Sequence, residues 1–362
     1  MSDEKFDCIV VGGGLAGLTA AYVMAGAGRE VMLVERGNYC GSKNVTGGRM
    51  YTHSMEKVIP GFTASAPLGR KIVRERLSTA KDGVFVTKET ESTDPLIAGG
   101  ESYAVERAKF DRWLAEQCEE MGVIVISDIL VDDICVEDGR VSGIVANGEP
   151  MEAELVILAE GVNGLLAQKL GMKEAITTEE VAVGIKEVFQ LSPEVIDERF
   201  GLAEGEGIAW MINDFDGVGD AFLYTNKDSL SLGVTMTVHR IADTDKSTPE
   251  MLDDFINHPE IAPLIEGGSL IEHSAHLFPE GKIDRISKLY GDGVMVVGDA
   301  AGLCVNFGET LRGMDLAVES GRIAAETAVA ALEAGDCTAA FLSRYETALK
   351  ESCVYSIMKA GE

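Results

Sequence analysis

The chain is short of the residues that would tie it to an oxidising compartment, a lipid span or a polyanion. Its seven cysteines (Cys8, Cys40, Cys118, Cys135, Cys304, Cys337, Cys353) are scattered, with no C-x-x-C pair. Neither a disulfide framework nor the clustered thiolates of an iron–sulfur site is on offer. The odd count, with a polar, acidic start (MSDEKFD) that lacks an apolar signal core, points to a reducing cytosol. No apolar run approaches the ~18 residues of a membrane span. Basic residues are few: 31 Lys and Arg against 60 Asp and Glu, a net charge of −29. That balance argues against nucleic acid, or an anionic membrane surface, as a general partner. It fits plain solubility, or a salt-adapted host, more simply than docking to a basic protein. The five histidines (His53, His239, His258, His273, His276) are dispersed, so they suggest no triad and no metal set. His273 with His276 reads as a satisfied pair at a strand end.

What is present is globular. With 362 residues, 46% apolar and 25% charged, there is room for two domains and a substantial core. The 41 glycines suit a fold that brings backbone close to a ligand. They begin at Phe6 to Glu35, FDCIVVGGGLAGLTAAYVMAGAGREVMLVE. An apolar run (Cys8 to Val11) predicts a buried parallel strand. Gly12-x-Gly14-x-x-Gly17 follows, then an Ala/Leu-rich helix to about Ala27 and a second strand, Val31 to Val34. Gly12 permits the tight turn, Gly14 the approach of a pyrophosphate, and Gly17 close helix–strand packing. The helix N-terminus offers free N–H groups to that pyrophosphate. Glu35, closing the second strand, is placed to accept hydrogen bonds from a ribose diol. This is a dinucleotide-binding βαβ unit.

Further on, RGNYCGSKNVTGGRMY (36–51) predicts a long functional loop, and a short helix is expected over Thr52 to Val58. Strands are expected over Arg70 to Ala80 and Val84 to Thr87, and an exposed loop over Lys88 to Gly100. Ser102 to Val105 is extended and Glu106 to Met121 helical, with Phe110, Leu114 and Cys118 at a spacing of four. Strands follow at Val123 to Ile126, Ile129 to Val136, Arg140 to Ala146 and Glu154 to Ala159, then a helix over Gly161 to Leu170. From about Val181 the pattern changes to a separate mixed sheet: Ala182 to Phe189, Gly207 to Ile212, Ala221 to Thr225, Ser229 to His239 and Ser269 to His276. In SLSLGVTMTVH the residues Leu230, Val234, Met236 and Val238 face one way, predicting a half-buried strand. Helices flank this sheet near Pro193 to Phe200 and Pro249 to Ile256. Val294 to Gly298 is again a buried strand, and helices over Thr310 to Ala334 and Thr338 to about Met358 close the chain.

The expected fold is therefore α/β: a three-layer, Rossmann-like dinucleotide domain formed by 1–170 and 285–335, including the loop 36–100. An α+β substrate domain on a mixed sheet (171–284) is inserted into it, and 336–362 form a C-terminal helix. Three more motifs fall at strand ends. Arg107-x-x-x-Asp111 opens a helix, as a phosphate- or ring-directed fork or as a surface i,i+4 ion pair. Ala159-Glu160-Gly161-Val162-Asn163-Gly164 turns from strand to helix with Asn163 as a natural N-cap, and an ordinary capped turn fits it as well. In Val297-Gly298-Asp299-Ala300-Ala301-Gly302, Asp299 can accept a hydroxyl hydrogen bond. Gly308 and Gly313 then flank the start of a long helix whose positive end can stabilise negative charge. Cys304 nearby reads as a small packing residue rather than a reactive thiol. Trp210, Met211, Phe215, Phe222 and Tyr224 supply aromatic material for a pocket, or for an ordinary core.

In this order the four motifs resemble those of FAD-dependent oxidoreductases of the p-hydroxybenzoate-hydroxylase structural class, over most of the chain. The connecting segments CGSKNVTGGRMY (40–51), AVGIKEV (182–188), FLYTNKDSLSLGV (222–234), SAHLFPEG (274–281) and NFGETLRGMDLAVESG (306–321) look like the FixC-type branch of the electron-transfer-flavoprotein–quinone oxidoreductases. That resemblance implies an FAD subunit passing electrons between an electron-transfer flavoprotein and a quinone, sometimes in an electron-bifurcating complex. It also implies a separate ferredoxin-like iron–sulfur subunit and chemistry centred on the flavin rather than on a catalytic side chain. The cofactor set it implies is Gly12, Gly14, Leu15, Ala16, Gly17, Glu35, Arg36, Arg49, Arg107, Glu160, Gly161, Gly298, Asp299, Gly308 and Gly313. The expected location is the cytoplasm, with peripheral contact at the inner face of the membrane left open.

Two departures stand out. FixC-type chains continue beyond the position of Glu362, so this chain looks shortened, and a C-terminal docking surface is expected to be missing. Larger relatives carry an apolar membrane-contacting loop near Val84 to Gly100, where this chain reads VFVTKETESTDPLIAGG, with Thr87 to Pro95 too polar to enter lipid. Two other functions stay open: a geranylgeranyl-reductase-type enzyme acting on isoprenoid double bonds, and a non-catalytic flavoprotein whose FAD serves assembly. The absence of a second Gly-x-Gly-x-x-Gly disfavours a dedicated nicotinamide domain.

Overall fold

A computed structural model describes residues 5–42, 47–81, 83–92, 100–215, 217, 219–308 and 310–361. The first βαβ unit is β1 (Phe6–Val11), α1 (Leu15–Gly26) and β2 (Val31–Val34). There follow β3 (Gly47–Tyr51), α2 (His53–Val58), β4 (Leu68–Lys81), β5 (Val84–Glu91), β6 (Ser102–Glu106) and α3 (Arg107–Glu120). Next come β7 (Ile124–Ile126), β8 (Val131–Glu137), β9 (Arg140–Ala146), β10 (Glu149–Leu158) and α4 (Leu165–Lys169). The middle of the chain holds β11 (Val181–Gln190), α5 (Pro193–Phe200), β12 (Glu206–Phe215), β13 (Gly219–Thr225) and β14 (Ser229–Thr237). After it lie α6 (Val238–Ile241), α7 (Thr248–Ile256), α8 (Ala262–Ile265) and β15 (Ser269–Pro279). The last elements are β16 (Tyr290–Gly291), β17 (Val294–Val296), β18 (Val305–Asn306), β19 (Leu311–Arg312), α9 (Met314–Ala334), α10 (Ala339–Glu351) and α11 (Cys353–Ala360).

The first sheet runs β16-β17-β10-β1-β2-β7, and every pairing from β17 to β7 is parallel. Its central strands read as unbroken apolar runs because both faces are covered: Cys8, Ile9, Val10 and Leu155 to Leu158 have no solvent exposure. Helices α1, α3 and α9, the sheet, and the β8–β9 hairpin that continues from β10 share one core. α9 lies hard against α1, since a Cβ on Gly321 would fall inside the Ala16 carbonyl.

The second sheet is mixed, in the order β15-β11-β14-β13-β12-β4-β6-β3, with β5 paired to β4. The strands of 47–106 were expected with the dinucleotide domain, yet β3 to β6 all hydrogen-bond here, β4 running parallel to β12. A strand's own sequence carries little signal of which sheet it will join, because that depends on pairing with distant segments. β5 also extends to Glu91, so the loop expected from Lys88 is strand as far as that residue; 93–99 lie outside the described residues, as do 43–46 of the first loop.

Strand alternation divides the second sheet into two faces. Ile185, Ile208, Trp210, Ile212, Leu223, Leu230, Leu232 and Val234 pack against α5 and α7 in a separate core. The opposite face carries, across the registers, His276 and Ser274, Gly184 and Lys186, Thr235 and Gly233, Asp220, Phe222 and Tyr224, and Met211 and Ala209. β14 is thus buried on both faces from Ser229 to Val234, not half-buried as expected, and Val238 begins α6. The aromatic cluster read from the sequence is split likewise: Trp210 and Phe215 go to the helical core, Met211, Phe222 and Tyr224 to the other face.

Three helix boundaries differ from expectation. α4 starts at Leu165 because Gly164 takes φ +52°, and the cap is not Asn163. The carboxylate of Glu160 accepts the Leu166 and Ala167 N–H groups instead, at 2.8 and 3.1 Å. α9 begins at Met314, the preceding residues forming the β18–β19 ribbon. The expected single C-terminal helix is two, broken where Ser352 is extended (ψ 176°) and its Oγ accepts the Val354 N–H at 3.1 Å.

Candidate active site

The glycine turn, the end of β10, the 298–301 turn and the inner face of the second sheet enclose a cleft of about 750 Å³, within the usual range of ~300–1,000 Å³ for small-molecule sites. Gly12 has φ +107°, and a Cβ there would run into the Ala159 carbonyl. A Cβ on Gly17 would do the same to the Gly12 carbonyl. These two glycines are required by the fold itself. Gly14 differs: it lines the cleft as the N-cap of α1, with no side chain capping the helix and no acid in its first turn. Leu15 and Ala16 line the cleft beside it, so the donors and the positive end of a twelve-residue helix open into the cavity. That cradle fits an anionic phosphate group.

Glu35 is buried, and its carboxylate fastens the turn to the end of β2. Oε2 accepts the Gly13 N–H at 2.7 Å and Oε1 accepts the Gly37 N–H at 2.5 Å. Each oxygen keeps a further lone pair for a hydroxyl from the cleft. Arg36, exposed, lines the cavity next to it.

On the floor lies Asp299, half-buried and lining the cavity. Burial pushes its carboxyl up to about 6, against the pull of Arg107 and Lys173. Arg107 grips Asp111 bidentately, Nε to Oδ1 at 2.7 Å and Nη2 to Oδ2 at 2.8 Å. The motif is therefore an i,i+4 pair, but a buried one. Burial works against the Arg107 charge, and Asp111 more than offsets it, raising the pKa. Arg49 lines the cleft from β3, committed to Ser102 and Ser92 at 2.8 Å and Glu75 at 2.6 Å. Glu160, Gly161 and Gly313 also border the cavity, whereas Gly17, Gly298 and Gly308 do not. Gly298 sits behind it, where Ala16 would crowd a Cβ and Ser320 Oγ accepts its N–H at 3.0 Å. Cys304 is buried against Gly313, and burial raises its thiol pKa, as suits a packing residue.

Residues that sequence reasoning passed over complete the walls. Leu130, Val131, Asp132 and Lys169 line the part contributed by β8 and α4. Lys186 enters from β11, almost fully buried, with Nζ 3.1 Å from Glu272 Oε1. Its signal was a lone lysine in an apolar strand, two residues from Gly184 and so on the same face. His276 also faces the cavity, its pKa lowered to about 4 by burial and by Arg107 and Arg36. It forms no pair with His273, because three residues along a strand puts them on opposite faces. His273 pairs outside with Glu187 at 3.0 Å.

A parallel sheet with a glycine turn at its carboxyl edge, joined to a second sheet over one cleft, defines the class: an FAD-dependent oxidoreductase of the Rossmann type. The family model "FAD dependent oxidoreductase" matches residues 7–184. Among solved structures, a geranylgeranyl bacteriochlorophyll reductase-like protein from Thermoplasma acidophilum superposes with a TM-score of 0.77 at 21% identity, covering 96% of this chain and 84% of that one. A myxobacterial FAD-dependent chondrochloren halogenase does so at 0.74 and 21%, covering 99% and 82%. Two curated relatives from Escherichia coli (strain K12) are much nearer in sequence. The probable electron transfer flavoprotein-quinone oxidoreductase YdiS is 48% identical over 362 residues, 99% of this chain and 84% of the relative. Protein FixC is 47% identical over 353 residues, 97% and 82%. The chain belongs to this FixC-type family of electron transfer flavoprotein–quinone oxidoreductases.

Proposed function

We propose that the protein passes electrons between an electron-transfer flavoprotein and a quinone through FAD held in the cleft. The observation that carries this reading is the cleft's double character. Phosphate-directed helix donors open into one part of it, and Met211, Phe222 and Tyr224 line another. FAD, when bound, supplies two-electron redox chemistry. The N–H groups of the Gly14–Ala16 turn hold its pyrophosphate, with Gly12 and Gly17 shaping the turn and Glu35 taking the ribose diol. Asp299 accepts from the ribityl chain, and the α9 end beyond Gly313 favours negative charge on the ring. Arg36, Arg107, Glu160 and Gly161 border the cofactor, while Arg49, bound to Glu75 and two serines, holds β3 and β6 together rather than contacting phosphate. Gly298 acts behind the wall, and Gly308, whose N–H donates to the Asn306 side chain, lies outside the lining.

Further parts of the reading concern partners. The scattered cysteines leave an iron–sulfur relay to a separate ferredoxin-like subunit, and an electron-bifurcating complex is the assembly in which such subunits meet. The acidic balance suits steering toward a basic partner surface. Among the described residues no helix is long and apolar enough to cross a membrane, so contact with a membrane-borne quinone would be peripheral. The test is anaerobic mixing of oxidised holoprotein with reduced electron-transfer flavoprotein and, separately, with NADPH. Rapid flavin bleaching by the flavoprotein alone is expected. Bleaching by NADPH alone, followed by reduction of an isoprenoid double bond, would replace this reading with the prenyl-reductase one.

A further inference from the structure

Lys186 is the one lysine on the strand face that looks into the cleft from β11, and it is placed unlike a surface lysine. Its side chain is 4% exposed, while that of its partner Glu272 is 35% exposed. On β15, Ser274 stands opposite Lys186 and donates to Glu272 Oε1 at 3.0 Å. On β14 the residue opposite is Gly233, which leaves the space above it to the Phe222 ring. A chain of exchangeable groups therefore runs from solvent through Glu272 to Lys186 Nζ, and ends at a cavity wall shared with Phe222, Tyr224 and Met211. The charged and titratable groups around the ammonium are Glu272, Glu106, Tyr224 and, farther along the same face, Asp220 and His276. Burial lowers the Lys186 pKa, with Glu272 and Glu106 opposing. Such a lysine gives up a proton more readily than a solvated one.

Resting on the quinone reading above, we propose that Lys186 is the acid that protonates the quinone oxygen during reduction, and that Glu272 returns a solvent proton to it. The balance is simple. Reduction of a quinone to the hydroquinone takes a hydride equivalent, supplied by anionic reduced FAD, and one proton. As the electron pair arrives, the C=O π bond opens onto oxygen, which takes the proton from Lys186 Nζ. The neutral amine then recovers a proton from water by way of Glu272, whose carboxylate first takes the solvent proton up and then passes it on. Lys186 touches the substrate; Glu272 acts through Lys186.

Holoprotein variants separate this role from a structural ion pair. Dithionite-reduced wild type, Lys186→Met, Lys186→Arg and Glu272→Gln are mixed with a soluble benzoquinone and, separately, with ferricenium, which accepts an electron without a proton. Lys186→Met should slow quinone reduction by roughly 10²-fold, the lower end of general-acid contributions, and leave ferricenium reduction and FAD occupancy intact. Lys186→Arg keeps the charge but, with a pKa above about 12, cannot release the proton, so it should be slow with quinone too. Glu272→Gln should complete one turnover at the wild-type rate and slow only in later ones. A second readout needs no turnover. A nitrophenol bound to the oxidised protein should titrate at lower pH in wild type and Lys186→Arg than in Lys186→Met. Equal losses with quinone and ferricenium, full quinone activity in Lys186→Met, or an unmoved nitrophenol titration would each overturn the assignment to Lys186. Failure of wild type itself to reduce quinone would instead overturn the quinone reading.

Discussion

Replacing Asp299 by asparagine should make the cofactor-free protein more stable at neutral pH while weakening FAD binding. Asp299 carries a carboxyl raised from 3.8 to about 6 by burial, even with Arg107 and Lys173 nearby. Between those two values the folded state binds more protons than the unfolded one, so stability falls as pH rises through that window and then levels off. Two units at ~1.4 kcal/mol each give a cost of about 3 kcal/mol at pH 7, an upper value because the side chain has some access to the cavity. The asparagine side chain does not ionise and so avoids that cost. The assay is urea unfolding of apo wild type and Asp299→Asn across pH 5 to 7.5. The variant's advantage should open with rising pH and level off by about pH 7 (roughly one unit past the folded pKa). A difference that does not change with pH would refute the reasoning, as would a variant less stable throughout. Titration of wild type, Asp299→Asn and Asp299→Ala with FAD supplies the other half. Loss of a charge-assisted hydrogen bond worth ~1.5–3 kcal/mol, as in Asp299→Ala, should weaken binding about ten- to a hundred-fold. A carboxylate kept at a net cost to the fold is what a site built for a ligand hydroxyl looks like.

The other predictions concern the walls of the site. Gly14→Val should leave a folded, colourless protein whose melting matches wild-type apoprotein; a fully yellow variant would contradict the cradle. Gly12→Ala should instead destabilise the apoprotein by a few kcal/mol, since an L-residue at φ +107° costs ~1–3 kcal/mol before the clash with Ala159 is counted; an unchanged melting temperature would count against it. Glu160→Ala, which strips the cap from α4, should cost about 1 kcal/mol in urea unfolding, and Glu160→Gln should recover part of it.

The first βαβ unit was legible to within two residues because its signals are local: a buried run, glycines at fixed offsets, and an acid at the end of the next strand. The position of Asp299 at the cleft was legible for the same reason, as an acid in the turn just past a buried strand. The second sheet was not, because its membership depends on pairing between distant segments. β4 lies over a hundred residues from β12 in sequence and runs parallel to it. Lys186 and His276 were missed because each needs two registers, β11–β14 and β11–β15, before its face can be assigned. The cap of α4 was misread for a different reason: Asn163 and Glu160 both stand at the strand-to-helix turn, and only the positions of the Leu166 and Ala167 N–H groups decide between them.

The measurement closest to the central claim is reoxidation of the reduced holoprotein. Anaerobically reduced protein is mixed in a stopped-flow instrument with a soluble quinone analogue, and the return of oxidised-flavin absorbance is followed against a no-acceptor control. The account predicts fast return with one hydroquinone formed per FAD. Flavin that stays reduced with quinone, yet is reoxidised by an isoprenoid alkene, would contradict it.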